Sequence, residues 1–138
     1  MKYQATPYLM FDGKAKEALE FYRDAFDGEI LAMETFGNAD YPTPPEAEDR
    51  IMHAQFKKGE LFLMASDSFP DQKVQVGDNV SLVLEFESEE EIKKLYDRFR
   101  ERGTVLMELQ DTFWGAKYAK VKDPFGVTWD FNYTISAE

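Results

Sequence analysis

The sequence predicts an α+β fold made of two successive βαβββ modules. Three observations carry that prediction. A helical stripe rich in aromatic residues occurs twice, opening near residues 14 and 88; each copy follows one short apolar strand-like run; and each precedes three more such runs.

Residues 3–11 combine aromatic and apolar side chains and stop at Asp12-Gly13, as a strand entering a turn would. Ala15, Ala18, Leu19, Tyr22 and Phe26 then fall at helical spacing within 14–26, and Asp27-Gly28 closes the run with a residue that tolerates a left-handed cap. Residues 29–36 read as a strand. The loop that follows, 37–49, holds Pro42, Pro44 and Pro45, which cannot continue a sheet ladder. Residues 50–58 and 60–67 are two further strands joined at Lys58-Gly59. Pro70, Gly77 and polar neighbours make 69–79 a linker, so a single domain, 1–138, divides into a first module at 1–68 and a second at 79–138.

The second module opens with a strand at 80–87 that sets Leu82, Leu84 and Phe86 on one face and Ser81, Val83 and Glu85 on the other. Ser88-Glu89-Glu90-Glu91 is a capping box and starts a helix whose buried stripe is Ile92, Leu95, Tyr96 and Phe99. Gly103 ends it after Arg100 and Arg102, which favour the negative end of the helix dipole. Residues 104–109, 118–123 and 127–135 supply three strands. A sheet with a helix on one face must have its other face covered. Two modules facing one another would meet that need and enclose a concave cleft.

With 27 acidic against 16 basic residues the net charge is -11, which repels nucleic-acid phosphate and anionic membrane surfaces. Neither is an expected partner. The absence of cysteine excludes disulfides, thiolate catalysis and thiolate metal sites. No apolar run has signal-peptide or bilayer-spanning length, so a cytoplasmic protein is expected.

Pro7-Tyr8-Leu9-Met10-Phe11, Ala18-Leu19-Glu20-Phe21-Tyr22, Met52-His53-Ala54-Gln55-Phe56, Phe113-Trp114-Gly115 and Asp123-Pro124-Phe125-Gly126-Val127-Thr128-Trp129 together resemble the PhnB-like branch of the vicinal oxygen chelate superfamily, which includes glyoxalase I, bleomycin-resistance proteins and extradiol dioxygenases. The resemblance covers nearly the whole chain. It implies a glyoxalase-like fold, with a cleft between curved mixed sheets, and a homodimer. Proteins of this branch are often labelled demethylubiquinone methyltransferase-like. No glycine-rich loop follows a first strand here to suit S-adenosylmethionine, and the chain is short for that fold.

In metal-dependent relatives the first and last strands of each module supply the ligands. The corresponding positions here, near residues 6–8, at Ser81 and in 60–65, carry no imidazole, and only Asp130 keeps an acidic side chain near a ligand position. Catalytic divalent metals need about three protein donors, so no metal and no other cofactor is expected.

His53 is the sole histidine and can act as a base or as a donor to a bound anion; the plainer reading is a strand histidine bonded to a neighbour. Asp130 shares a strand face with Thr128 and Asn132, opposite Trp129, where a carboxylate would have a raised pKa unless paired. Trp114 can cover a cleft or fill a core, and Tyr8 and Met10 alternate with Leu9 so as to face the cavity. The expected function is binding of a small organic molecule by Tyr8, Met10, His53, Trp114 and Asp130, with His53 and Asp130 as the catalytic candidates should there be chemistry. Two alternatives stay open: a metal-dependent lyase or dioxygenase using His53, Asp130 and Glu60 or Glu85, and a drug-sequestering resistance protein whose acidic surface suits a cation.

Overall fold

Eight strands and two helices, in the order β-α-β-β-β repeated twice, account for the regular structure of a computed structural model that describes residues 1–2, 5–40 and 42–135. Residues Met1–Gln75 and Val76–Glu138 form two units, each with its own four-stranded mixed sheet.

In the first unit β1 (Tyr8–Phe11), β2 (Glu29–Thr35), β3 (Ile51–Lys58) and β4 (Leu61–Asp67) lie in the order β1-β4-β3-β2, with β1 parallel to β4 and the other pairs antiparallel. Helix α1 (Ala15–Phe26) covers one face. Its Leu19 and Tyr22 are fully buried with Phe56 and Leu63, and the Tyr22 and Phe26 rings sit 6.3 and 6.0 Å from that of Phe56. No local side chain caps α1. Instead the buried carboxylate of Asp67, at the end of β4, accepts from the Ala15 amide at 2.9 Å and from the Ile51 amide at 2.9 Å, tying the helix start to two strands. The helix ends on a left-handed residue, Asp27 (φ 56°), while Gly28 sits so close to the Phe56 ring that a Cβ would collide with it.

The second unit repeats the plan with β5 (Leu82–Glu85), β6 (Thr104–Asp111), β7 (Ala116–Lys122) and β8 (Thr128–Thr134) in the order β5-β8-β7-β6, β5 again parallel to its neighbour. Helix α2 (Glu89–Arg102) starts at the capping box: Ser88 Oγ accepts from the Glu91 amide at 3.1 Å and Glu91 Oε1 from the Glu87 amide at 3.1 Å. The Phe99 ring packs 5.7 Å from Trp129 and 5.2 Å from Phe131, so these alternate residues of β8 face the helix. In the Asp-Pro-Phe-Gly turn, Asp123 accepts from the amides of Phe125 and Val127 and, through its other oxygen, from Trp129 Nε1 at 2.9 Å, while Gly126 takes a positive φ of 96°. The motif is thus a clamp between turn and core.

Boundaries shift by a few residues. The first strand begins at Tyr8 rather than 3, Tyr3 and Gln4 lying outside the described residues, and β5 is confined to Leu82–Glu85. β6 runs on to Asp111 and β7 starts at Ala116, because the Thr112 amide and the Ala116 carbonyl close a tight hairpin at 2.8 Å. The proline-rich loop holds a short 3₁₀ turn, Pro45–Ala47, with Ala47 buried. Among the described residues no helix is long and apolar enough to cross a membrane.

Candidate functional site

Among the described residues each sheet packs a helix on one face, and Tyr8, Met10, His53 and Asp130 lie on the other, while Trp114 sits on the β6–β7 hairpin. In the first unit Tyr8 and Met10 are 49% and 47% exposed, whereas Phe11 is buried. Strand register brings His53 into the same neighbourhood: its Nδ1 lies 3.4 Å from the Tyr8 hydroxyl and its Nε2 lies 3.3 Å from the Gln55 amide nitrogen. Which ring nitrogen donates depends on the tautomer, and either one leaves His53 bridging Tyr8 and Gln55. Ser66 Oγ donates to Met10 Sδ at 3.6 Å. These contacts are long, at 3.3–3.6 Å.

The second unit holds a tighter constellation. Alternation along β8 puts Asp130 opposite Trp129 and away from α2. Its carboxylate, in a residue only 7% exposed, accepts from Ser81 Oγ at 2.7 Å and from the Tyr118 hydroxyl at 2.9 Å, with Lys120 Nζ at 3.6 Å. The sequence left open whether this carboxylate would be paired; here three donors surround it. Each comes from a different position in the sheet: Ser81 precedes β5, which runs parallel beside β8, while Tyr118 and Lys120 alternate along β7. Burial pushes the Tyr118 hydroxyl up to about 12, and its bond to the Asp130 anion acts in the same direction. Tyr118 is therefore a firm hydrogen-bond donor and a poor base at neutral pH.

Trp114 is not core. It is 57% exposed at the β6–β7 hairpin, beside Phe113, which is 97% exposed, and its ring stands 6.2 Å edge-on from that of Tyr118. Gly115 takes φ 81° to close the hairpin, so its role is the turn itself. Trp114, Tyr118 and Asp130 form one chain of contacts from the rim to the buried carboxylate.

Among the described residues no group of three or more side chains drawn from His, Cys, Asp and Glu converges, and at Asp130 the neighbouring charge is the Lys120 ammonium, which opposes a cation at that carboxylate. Glu85, a candidate ligand by sequence, instead accepts from Asn132 Nδ2 at 2.8 Å. Sequence reading missed Tyr118 and Lys120 as partners of Asp130. The available signal was the period-2 alternation of β7, but using it requires the β7–β8 register.

Residues 5–131 match the family model of the Glyoxalase/Bleomycin resistance protein/Dioxygenase superfamily. The Escherichia coli K12 protein YjdN is 31% identical over 137 residues, covering 92% of each chain. Among solved structures, protein PA1353 from Pseudomonas aeruginosa superposes with a TM-score of 0.85 at 37% identity, covering 96% of this chain and 98% of its own. The PhnB protein from Bacillus cereus, named for 3-demethylubiquinone-9 3-methylation, gives 0.80 at 30% identity, covering 95% and 99%.

Proposed function

The chain belongs to the Glyoxalase/Bleomycin resistance protein/Dioxygenase superfamily, and from that premise we propose that it is a PhnB-like protein that binds a small, partly apolar organic molecule without a resident metal, as a homodimer. The observation that carries this reading is the Asp130 carboxylate, held by Ser81, Tyr118 and Lys120 on a helix-free face beneath the exposed ring of Trp114. Preorganised polar groups under an aromatic rim suit recognition of one oriented ligand. The carboxylate retains lone pairs for an N–H or O–H of the ligand, Lys120 meets an adjacent acceptor, and Trp114 covers the apolar part. The first unit has its own candidate surface, Tyr8, Met10 and His53, where methionine and aromatic side chains adapt to shape.

Acid-base chemistry, if a ligand is turned over, falls to His53 and Asp130, since the raised Tyr118 hydroxyl keeps its proton. The methyl-transfer name of the Bacillus cereus relative does not carry over: β1 and α1 are joined through Asp12-Gly13-Lys14, which is no glycine-rich phosphate or nucleotide cradle.

Native mass spectrometry on untagged protein purified without chelator reads subunit number, metal and retained ligand together. The expected result is a metal-free dimer that carries an organic adduct, lost in Asp130→Ala. Stoichiometric metal that survives desalting and disappears with the same substitution would overturn the proposal.

A further inference from the structure

The first unit carries an open surface pocket of about 380 Å³ that the Asp130 site does not use. Its apolar wall is Met10, Phe36, Phe69 and Val74. The Phe36 and Phe69 rings stand 4.9 Å apart, inclined at 47°, an aromatic corner against which a third ring can pack edge to face. The volume falls within the range of about 300–1,000 Å³ usual for small-molecule sites. Residues 69–74, expected to act only as a linker, build half of this wall.

Ser68 adds the polar element. Its backbone is fixed at both ends: its amide donates to the Phe11 carbonyl at 2.8 Å, and its carbonyl accepts from Arg50 Nη1 at 2.9 Å, the same nitrogen that pairs with Asp12 at 2.8 Å. Its hydroxyl is shielded from solvent and lacks a partner, the one such buried side-chain atom found among the described residues. Buried polar groups left unpaired are few in folded proteins and call for an explanation. With the backbone pinned, rotation about a single side-chain bond is the freedom that remains, and it costs little when no hydrogen bond is broken.

Charge selects the ligand. The buried Asp67 carboxylate lines the pocket, both of its oxygens already engaged by amides, and Lys73 lies in the same lining, so one charge of each sign faces the ligand and neither a net anion nor a net cation is favoured. Gln72 and Lys73 sit exposed at the rim. We propose that this pocket is a second ligand site, which takes a small neutral aromatic molecule bearing one hydroxyl, a phenol-type compound, with Ser68 pairing to the hydroxyl and Phe36 and Phe69 to the ring.

The test is a pair of probes that differ by that one group, p-cresol and toluene, titrated into the ¹⁵N-labelled protein and followed by amide shifts. Both are expected to perturb the amides of residues 36, 68, 69 and 72–74, with p-cresol about fivefold tighter, the ordinary value of one net hydrogen bond. Ser68→Ala should bring the two affinities together, and Val74→Trp, which fills the pocket, should abolish both. Equal affinities in the unaltered protein, shifts confined to other amides, or undiminished binding in a folded Val74→Trp would each overturn the proposal. If Val74→Trp fails to fold, the Ser68→Ala ratio decides alone. Because the pocket shares only Met10 with the residues assigned above and the amides followed do not include it, failure here leaves the Asp130 reading standing, and failure at Asp130 leaves this one.

Discussion

The two modules share strand order, helix position and a parallel first strand, yet they treat their open faces differently. In the first, an exposed Tyr8 and the half-buried His53 and Gln55 touch at 3.3–3.4 Å. In the second, Ser81 and Tyr118 hold a buried Asp130 at 2.7 and 2.9 Å. One scaffold carries an adaptable wall and a rigid anchor. The teaching is that a repeated backbone leaves chemistry free to diverge, because period-2 alternation separates the face that packs on the helix from the face that meets a ligand.

The helix starts differ in the same way. Module two caps α2 from adjacent sequence through Ser88, whereas module one caps α1 from a distance through Asp67. The buried carboxylate of the second module, Asp123, follows β7 rather than the last strand and spends its oxygens on a turn and on Trp129.

The sharpest way to break this comparison is to delete those two carboxylates. Asp123→Ala strands three donors and is expected to cost about 4 kcal/mol, Asp67→Ala strands two and about 3 kcal/mol, as read by urea denaturation. Equal losses would show that the modules lean on these residues alike. For ligand binding, Asp130→Ala should weaken affinity at least tenfold, about 1.4 kcal/mol, while His53→Ala weakens it about threefold, measured by calorimetry with whatever adduct is recovered. A reversed order would make the first unit the anchor. Ser88→Ala should lower stability by about 1 kcal/mol while Lys14→Ala stays within about 0.5 kcal/mol, since Lys14 caps nothing with its side chain.

The smallest effect is one of pH. Tyr118 holds its proton up to about 12 when folded, against an ordinary value of about 10, so its contribution to stability is complete below about pH 10 and is lost as pH rises toward 12. The tyrosinate absorbance of the native protein minus that of Tyr118→Phe should therefore rise near pH 12. A rise near 10 would show Tyr118 neither buried nor bound to Asp130.

Much of the fold was legible because each signal was local. The stripe Ile92, Leu95, Tyr96 and Phe99 is buried as its spacing requires, and Ser88 caps as its motif requires. The site was legible only in pieces. That Trp114 reaches Asp130 through Tyr118, and that Ser81 bonds Asp130 across 49 residues of sequence, depends on which strands pair and in what register. Hydrophobic patterning tells which face a residue takes, not which neighbour it meets. Ser68 was invisible for the same reason, since an unpaired hydroxyl is defined by the partners it lacks.

The parallel first strands have a kinetic consequence. β1 and β5 have four residues each, lie at the outer edge of their sheets, and pair with strands far along the chain: Tyr8 with Met64, and Leu82 with Trp129. The hairpins β3–β4 and β7–β8 close short loops and assemble early, whereas these edge strands must wait for long loops to close. They are also the first to open by local fluctuation, so their amides should exchange fastest among the strands. Tyr8, Met10 and the segment leading from Ser81 ride on the elements that dock last, and a bound molecule that holds them in place would act as the latch on each sheet.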